Sequence, residues 1–190
     1  MFLYYICGYI FGHMGNRKLL NIELGRVSAQ EYKELPESGL VLVLDNIRSA
    51  HNIGSAFRTS DSFKIDKVYL CGICAVPPSA EIHKSALGAE DSVAWEHVDD
   101  TMDAIAKLKE EGYVVVSAEQ AVDSVMLDKF APSKDQKYAV VFGNEVAGVR
   151  QDVVDASDIV LEIPQYGTKH SMNVSVSMGV ILWHLRLMRN

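Results

Sequence analysis

With 190 residues, 48% of them hydrophobic, the chain is long enough for one well-buried domain and too short for two. A formal charge of −7 excludes an overall field that draws in polyanions, so any nucleic-acid site has to be a local basic patch. Three cysteines, Cys7, Cys71 and Cys74, are too few for a disulfide scaffold and point to a reducing compartment, the cytoplasm.

The apolar opening at 1–11 is too short to span a bilayer and lacks the basic flank of a signal peptide, so no membrane attachment is expected. Met14 stands directly before a charged stretch, which marks 1–13 as an upstream extension ahead of the folded protein. Residues 16–36, carrying Arg17, Lys18, Arg26 and Lys33, read as one helix stopped by Pro36, so 14–39 is expected to be a helical extension and 40–190 the domain proper. From Leu40 onward, apolar runs at 40–44, 67–71, 113–117, 138–142 and 159–163 alternate with polar segments of helical length. The runs are continuous in polarity, as strands buried on both faces are, which predicts an α/β fold with a parallel sheet covered by helices on both faces. Residues 100–111 place Met102, Ile105, Ala106 and Leu108 at near-helical spacing before Gly112, a covering helix. In the last helix, at 174–188, Val176, Val180, Trp183 and Leu187 form the stripe expected to pack inward, with Arg186 and Arg189 outside.

Three segments carry polar groups to strand exits. The first strand runs into Asp45-Asn46-Ile47-Arg48-Ser49-Ala50-His51-Asn52, then Gly54, Ser55 and Ala56, small residues that allow close approach, and Arg58, six residues beyond Asn52. A capped helix with a surface arginine is the plainer reading. The second segment, Phe142-Gly143-Asn144-Glu145-Val146-Ala147-Gly148, is a buried strand entering a glycine-bounded turn. Glu145 there could neutralise a cation or fix a loop by accepting backbone hydrogen bonds, a helix-start carboxylate being the plainer reading. The third, Ile163-Pro164-Gln165-Tyr166-Gly167-Thr168-Lys169-His170-Ser171-Met172-Asn173-Val174-Ser175, leaves a strand through a Pro/Gly loop. Helix capping accounts for Ser171 or Asn173 singly, but not for both together with Ser175.

Taken in order, an asparagine with Arg-Thr six residues on, F-G-x-E-x-x-G and I-P-x-x-G-x-x-x-S-x-N-V-S resemble the three motifs of SpoU/TrmH-type RNA 2′-O-ribose methyltransferases. The stretch Ile82-His83-Lys84-Ser85-Ala86-Leu87-Gly88-Ala89-Glu90 and the loop Ser117-Ala118-Glu119-Gln120 are also similar to that family's segments. The resemblance implies a C-terminal deep trefoil knot, against the usual rule of unknotted connections, and a homodimer. It implies transfer from S-adenosylmethionine, with no metal, to a ribose 2′-hydroxyl of tRNA or rRNA. By matching position, Ala118, Gly143, Ile163, Ser171 and Met172 would bind the donor. Arg58 matches the family's catalytic arginine, supplied across the dimer, and Asn52, Glu145, Ser171 and Asn173 match the polar groups around it. A guanidinium is a poor general base, so orienting a phosphate or the ribose hydroxyl is an equally good role for Arg58. Gln165 and Met172 stand where many relatives carry methionine and leucine, residues of similar bulk.

Other chemistries have weaker support. Cys71-Gly72-Ile73-Cys74 after a strand could mark a dithiol oxidoreductase, and His83 and His97 are poor candidates to complete a zinc site with it. Neither a dinucleotide-binding glycine fingerprint nor a P-loop follows the first strand. An RNA base methyltransferase of the same fold, or an inactive dimeric RNA-binding factor, are the remaining alternatives, and the nucleotide modified leaves no readable code.

Overall fold

The computed structural model describes residues 16–188, so the 1–13 extension and Arg189 lie outside the described residues. Among these, the strands are β1 (Leu40–Asp45), β2 (Lys67–Cys71), β3 (Ala94–Val98), β4 (Tyr113–Ala118), β5 (Val125–Met126), β6 (Lys137–Phe142) and β7 (Ile159–Glu162). The helices are α1 (Ala29–Glu34), α2 (Ala50–Phe63), α3 (Ala80–Ala86), α4 (Ala89–Ser92), α5 (Thr101–Glu110), α6 (Gln151–Ala156) and α7 (Val174–Met188). All strand pairings are parallel, in the order β3-β2-β1-β6-β4-β7-β5.

The continuous apolar runs are explained by the two layers they face. Side chains alternate across a strand, so Leu40, Leu42 and Leu44 of β1 enter the core under α2, α3 and α7, while Val41 and Val43 enter the core under α5 and α6. Tyr138, Val140 and Phe142 of β6 join the first core, and Ala139 and Val141 the second. The centre of the sheet is therefore dry on both sides, as expected from sequence. β3 is an addition to the sequence reading. It is an edge strand whose Ala-Trp-Glu-His-Val is nowhere fully buried, so it lacks the continuous apolar signature of the central strands.

Two expectations are corrected. Residues 16–36 are not one helix: a 3-10 turn at Asn21–Leu24 ends at Gly25, whose φ of 58° is left-handed, and α1 starts afresh at Ser28. There the Ser28 hydroxyl accepts the Glu31 N–H at 3.2 Å and the Glu31 carboxylate accepts the Ser28 N–H at 2.7 Å, a reciprocal cap that sets a new helix start. In α7 the buried residues are Met178, Ile181, Leu182 and Leu185, whereas Val176, Val180, Trp183 and Leu187 are between 37% and 56% exposed. The helix is apolar on two faces, and spacing alone does not choose between two apolar stripes.

Helix α2 crosses α3 at Gly54, where a Cβ would stand 2.1 Å from Ser85 Oγ and 2.3 Å from the Ile82 carbonyl oxygen. Backbone cannot yield as a flexible side chain does. Gly54→Ala is expected to destabilise the protein by about 1–3 kcal/mol and to lower Tm by roughly 2–10 °C in thermal unfolding. An unchanged Tm would show that the two helices separate at no cost.

Candidate functional site

β1, β6, β4 and β7 are neighbours in the sheet, so the loops after them leave from one edge, the carboxyl edge where open α/β sheets bind ligands. The loop after β1 begins at Asn46, held at φ 57° with its side-chain oxygen accepting the Ile73 N–H at 3.2 Å. Gly72, at φ 60°, lies under that side chain, and a Cβ there would meet Asn46 Oδ1 at 2.2 Å. Cys74 Sγ accepts the Ile47 N–H at 3.2 Å and donates to the Leu44 carbonyl. The Cys-x-x-Cys turn is thus a buttress of the first loop. Burial pushes the Cys71 thiol up to about 12 and the Cys74 thiol up to about 11, so neither is a ready thiolate for dithiol chemistry.

Glu145, in the turn after β6, closes that first loop. Its carboxylate accepts the Arg48 N–H at 3.0 Å, the Ser49 N–H at 3.1 Å and the Asn52 side-chain amide at 2.9 Å. Partial burial opposes its ionisation, but these bonds, from Arg48 and Asn52 foremost, hold it below the usual carboxylate range. Of the roles open from sequence, the carboxylate fixes a loop. Asn52 is only 6% exposed, and its oxygen faces the Asn173 amide at 3.4 Å. Asn173 precedes α7 and caps it: its side-chain oxygen accepts the Ser175 N–H at 2.9 Å and the Ser175 hydroxyl at 2.6 Å. Capping therefore explains Asn173 together with Ser175 and leaves Ser171, which is exposed, free of that duty.

The turn after β6 requires its glycines. A Cβ at Gly143 would meet Val149 N at 2.0 Å, and one at Gly148, where φ is 72°, would meet Glu119 Oε2 at 2.2 Å. Glu119, in the loop after β4, accepts the Val149 N–H at 2.9 Å, and Gln120 donates to the His170 carbonyl at 3.0 Å, tying that loop to the one after β7.

These loops enclose a cleft of about 510 Å³. All five positions expected to hold the donor, Ala118, Gly143, Ile163, Ser171 and Met172, line it, and so do Glu145 and Asn173. Asn52 stands behind Glu145 and braces it. Arg58 is not brought to the cleft: it lies on α2 in a separate groove with His51, Ser55, Thr59, Lys84 and Ser85. Three carboxylates, Glu119, Glu145 and Glu162, line the cleft with neither Lys nor Arg, a setting that favours a cationic ligand over a phosphate. Sequence reasoning missed Glu119 and Glu162 as lining groups, although their place at the ends of β4 and β7 was a usable signal. Among the described residues no cluster of three metal-ligating side chains forms.

Residues 39–183 match the model of the SpoU rRNA Methylase family. The 23S rRNA (guanosine-2′-O-)-methyltransferase of Nitrosomonas europaea is 36% identical over 153 residues, covering 78% of this chain and 56% of that protein, so the chain spans a little over half of that relative's length. The crystal structure of the TrmH/SpoU tRNA modifying enzyme of A. aeolicus is similar at a TM-score of 0.74 and 25% identity, over 85% of this chain and 82% of that one. The SpoU methyltransferase AviRb of Streptomyces viridochromogenes, solved in complex with the cofactor AdoMet, shares the fold at a TM-score of 0.72 and 23% identity, over 84% of this chain and 64% of that one.

Glu145→Gln removes the charge from the brace and leaves a nitrogen facing one of its donors. Near neutral pH the variant is expected to be about 1 kcal/mol less stable to urea, below the usual worth of a bond to a charge because the carboxylate is partly exposed. The folded carboxylate titrates below the unfolded one, so its contribution is complete above the ordinary carboxylate range and fades as pH falls through the folded value. The gap between the two proteins should accordingly close in acid, and a gap that stays constant as the medium is acidified would contradict the assigned brace.

Proposed function

The chain belongs to the SpoU rRNA methylase family, and on that premise we propose that it is an enzyme transferring the methyl group of S-adenosylmethionine to a ribose 2′-hydroxyl of tRNA or rRNA. The observation that carries this reading is the single cleft in which every position expected to hold the donor stands beside Glu145 and Asn173. Its volume of about 510 Å³ suits a small molecule, for which pockets of about 300–1,000 Å³ are usual. Phe142, Leu161, Ile163 and Met172 supply apolar wall, the glycine turn supplies backbone donors and acceptors, and the carboxylates complement a positively charged ligand. When bound, S-adenosylmethionine supplies an electrophilic methyl carbon. Ala118, Gly143, Ile163, Ser171 and Met172 hold it, largely through backbone groups, and exclude water from the buried side.

At the polar end, Ser171 and Asn173 set the acceptor ribose against the cleft. Asn52 keeps Asn173 and Glu145 in place, and orientation of this kind can lower a transfer barrier by several kcal/mol. Arg58 serves the cleft of a second copy, where its guanidinium orients the ribose hydroxyl or a neighbouring phosphate. A homodimer is supported by the exposed stripe Val176, Val180, Trp183 and Leu187 on α7, which continues through the Trp183 and Phe63 ring contact, centroids 6.0 Å apart, to the groove holding Arg58. In the same reading the last third of the chain threads a loop as a deep trefoil knot, which accords with β6 and β7 lying between strands earlier in the chain. The domain occupies 40–190 with a helical extension before it. Among the described residues no helix is long and apolar enough to cross a membrane, and the proposed location is the cytoplasm.

Arg58→Ala is expected to abolish transfer to unmodified tRNA or rRNA while calorimetry shows donor binding retained. Mixing it with a cleft-blocked Ser171→Trp variant should restore about a quarter of wild-type turnover after subunit exchange, because half the dimers are mixed and each has one complete site. No recovery would show that Arg58 does not act across subunits.

A further inference from the structure

We infer that Asp45 is a positioning residue for the cleft, holding both ends of the 143–150 turn through Asn46 and the Arg150 backbone; the inference rests on the reading of that cleft as the donor site. Asp45 ends β1 and is wholly buried, yet it does not line the cleft. Its Oδ2 accepts the Arg150 N–H at 3.0 Å, and its Oδ1 accepts the Thr101 hydroxyl and the Asn46 side-chain amide, the latter at 2.9 Å. Among the described residues it forms no ion pair. The Arg150 guanidinium is engaged by Asp100 and Asp152 instead. A carboxylate taken out of water without a countercharge is costly, and an apolar residue would end a buried strand more cheaply.

What an apolar residue could not do is set the turn. Asn46 passes the restraint to the turn's beginning, since its carbonyl accepts the Asn144 amide at 2.8 Å. Asn144 then shapes the turn itself: its side-chain oxygen accepts the Val146 and Ala147 N–H groups at 2.9 and 3.2 Å, and its carbonyl accepts the Gly148 N–H at 2.9 Å. The Arg150 bond fixes the turn's end. One buried carboxylate thus anchors both ends of the backbone that forms the glycine wall of the cleft, beside the Glu119 bond to the Val149 N–H.

Asp45→Asn keeps the shape but cannot accept on both sides, so either the Arg150 N–H or the Asn46 amide faces an NH₂ group. In the free protein, amide hydrogen exchange across 143–150 is expected to rise about tenfold, with the protection of residues 40–44 unchanged. The calorimetric Kd for S-adenosylmethionine is expected to weaken about tenfold, equivalent to ~1.4 kcal/mol. Leu108→Ala, a cavity in the core under α5, is the control: it lowers Tm but should alter neither readout. Unchanged exchange across 143–150 overturns the inference, as does a loosened turn with an unaltered Kd, or a control that reproduces both effects. Wild-type protein that fails to bind S-adenosylmethionine would overturn the donor reading instead, and the exchange comparison would still decide whether Asp45 holds the turn.

Discussion

The carboxylate of Glu145 accepts hydrogen bonds from Arg48, Ser49 and Asn52, groups up to 97 residues away in the chain. The rest of the site depends on this convergence. The loop after β1 has backbone N–H groups at a helix start that need an acceptor, and the acceptor comes from the turn after β6. Asn52, held by the same carboxylate, then meets Asn173 at the start of α7. The three loops form one wall because the first two satisfy donors of each other and the first also accepts the Asn173 amide of the third. Loss of any one leaves polar groups unpaired at the edge of a dry sheet.

Much of this was legible in the residues. Continuous apolar runs identified the central strands because both faces of the sheet are covered, and strand exits rich in Asn, Glu and Gly identified the loops that meet. Other features were illegible for physical reasons. The edge strand β3 needs no continuous apolar run, since half of it faces solvent. Helix α7 carries two apolar stripes, and only the core it shares with α2 and the sheet decides that Met178, Ile181, Leu182 and Leu185 go inside. Asp45 looks like an ordinary polar strand end until the Arg150 N–H is seen beside it. Arg58 belongs by sequence to the first motif, but on the folded chain it occupies another groove.

The two places differ in charge. The cleft has carboxylates and neither Lys nor Arg, whereas the Arg58 groove also holds Lys84 and His51 and is lined by serine and threonine hydroxyls. An acidic chain that acts on RNA must confine its cationic contacts to such local patches, and a cleft hostile to phosphate favours a cationic donor there over RNA backbone. On the proposed reading, the donor and the nucleic-acid backbone are held by surfaces of opposite character that come together only in the dimer.

Which atom is methylated decides between a ribose and a base methyltransferase, and the alkali behaviour of the product reveals it. A 2′-hydroxyl is the nucleophile that cleaves RNA in base, so its methylation protects the adjoining phosphodiester. After reaction of the purified protein with methyl-labelled S-adenosylmethionine and unmodified tRNA and rRNA, followed by alkaline hydrolysis, the label should be recovered in resistant dinucleotides. Label recovered in mononucleotides would place the methyl group on a base and rule out ribose methylation.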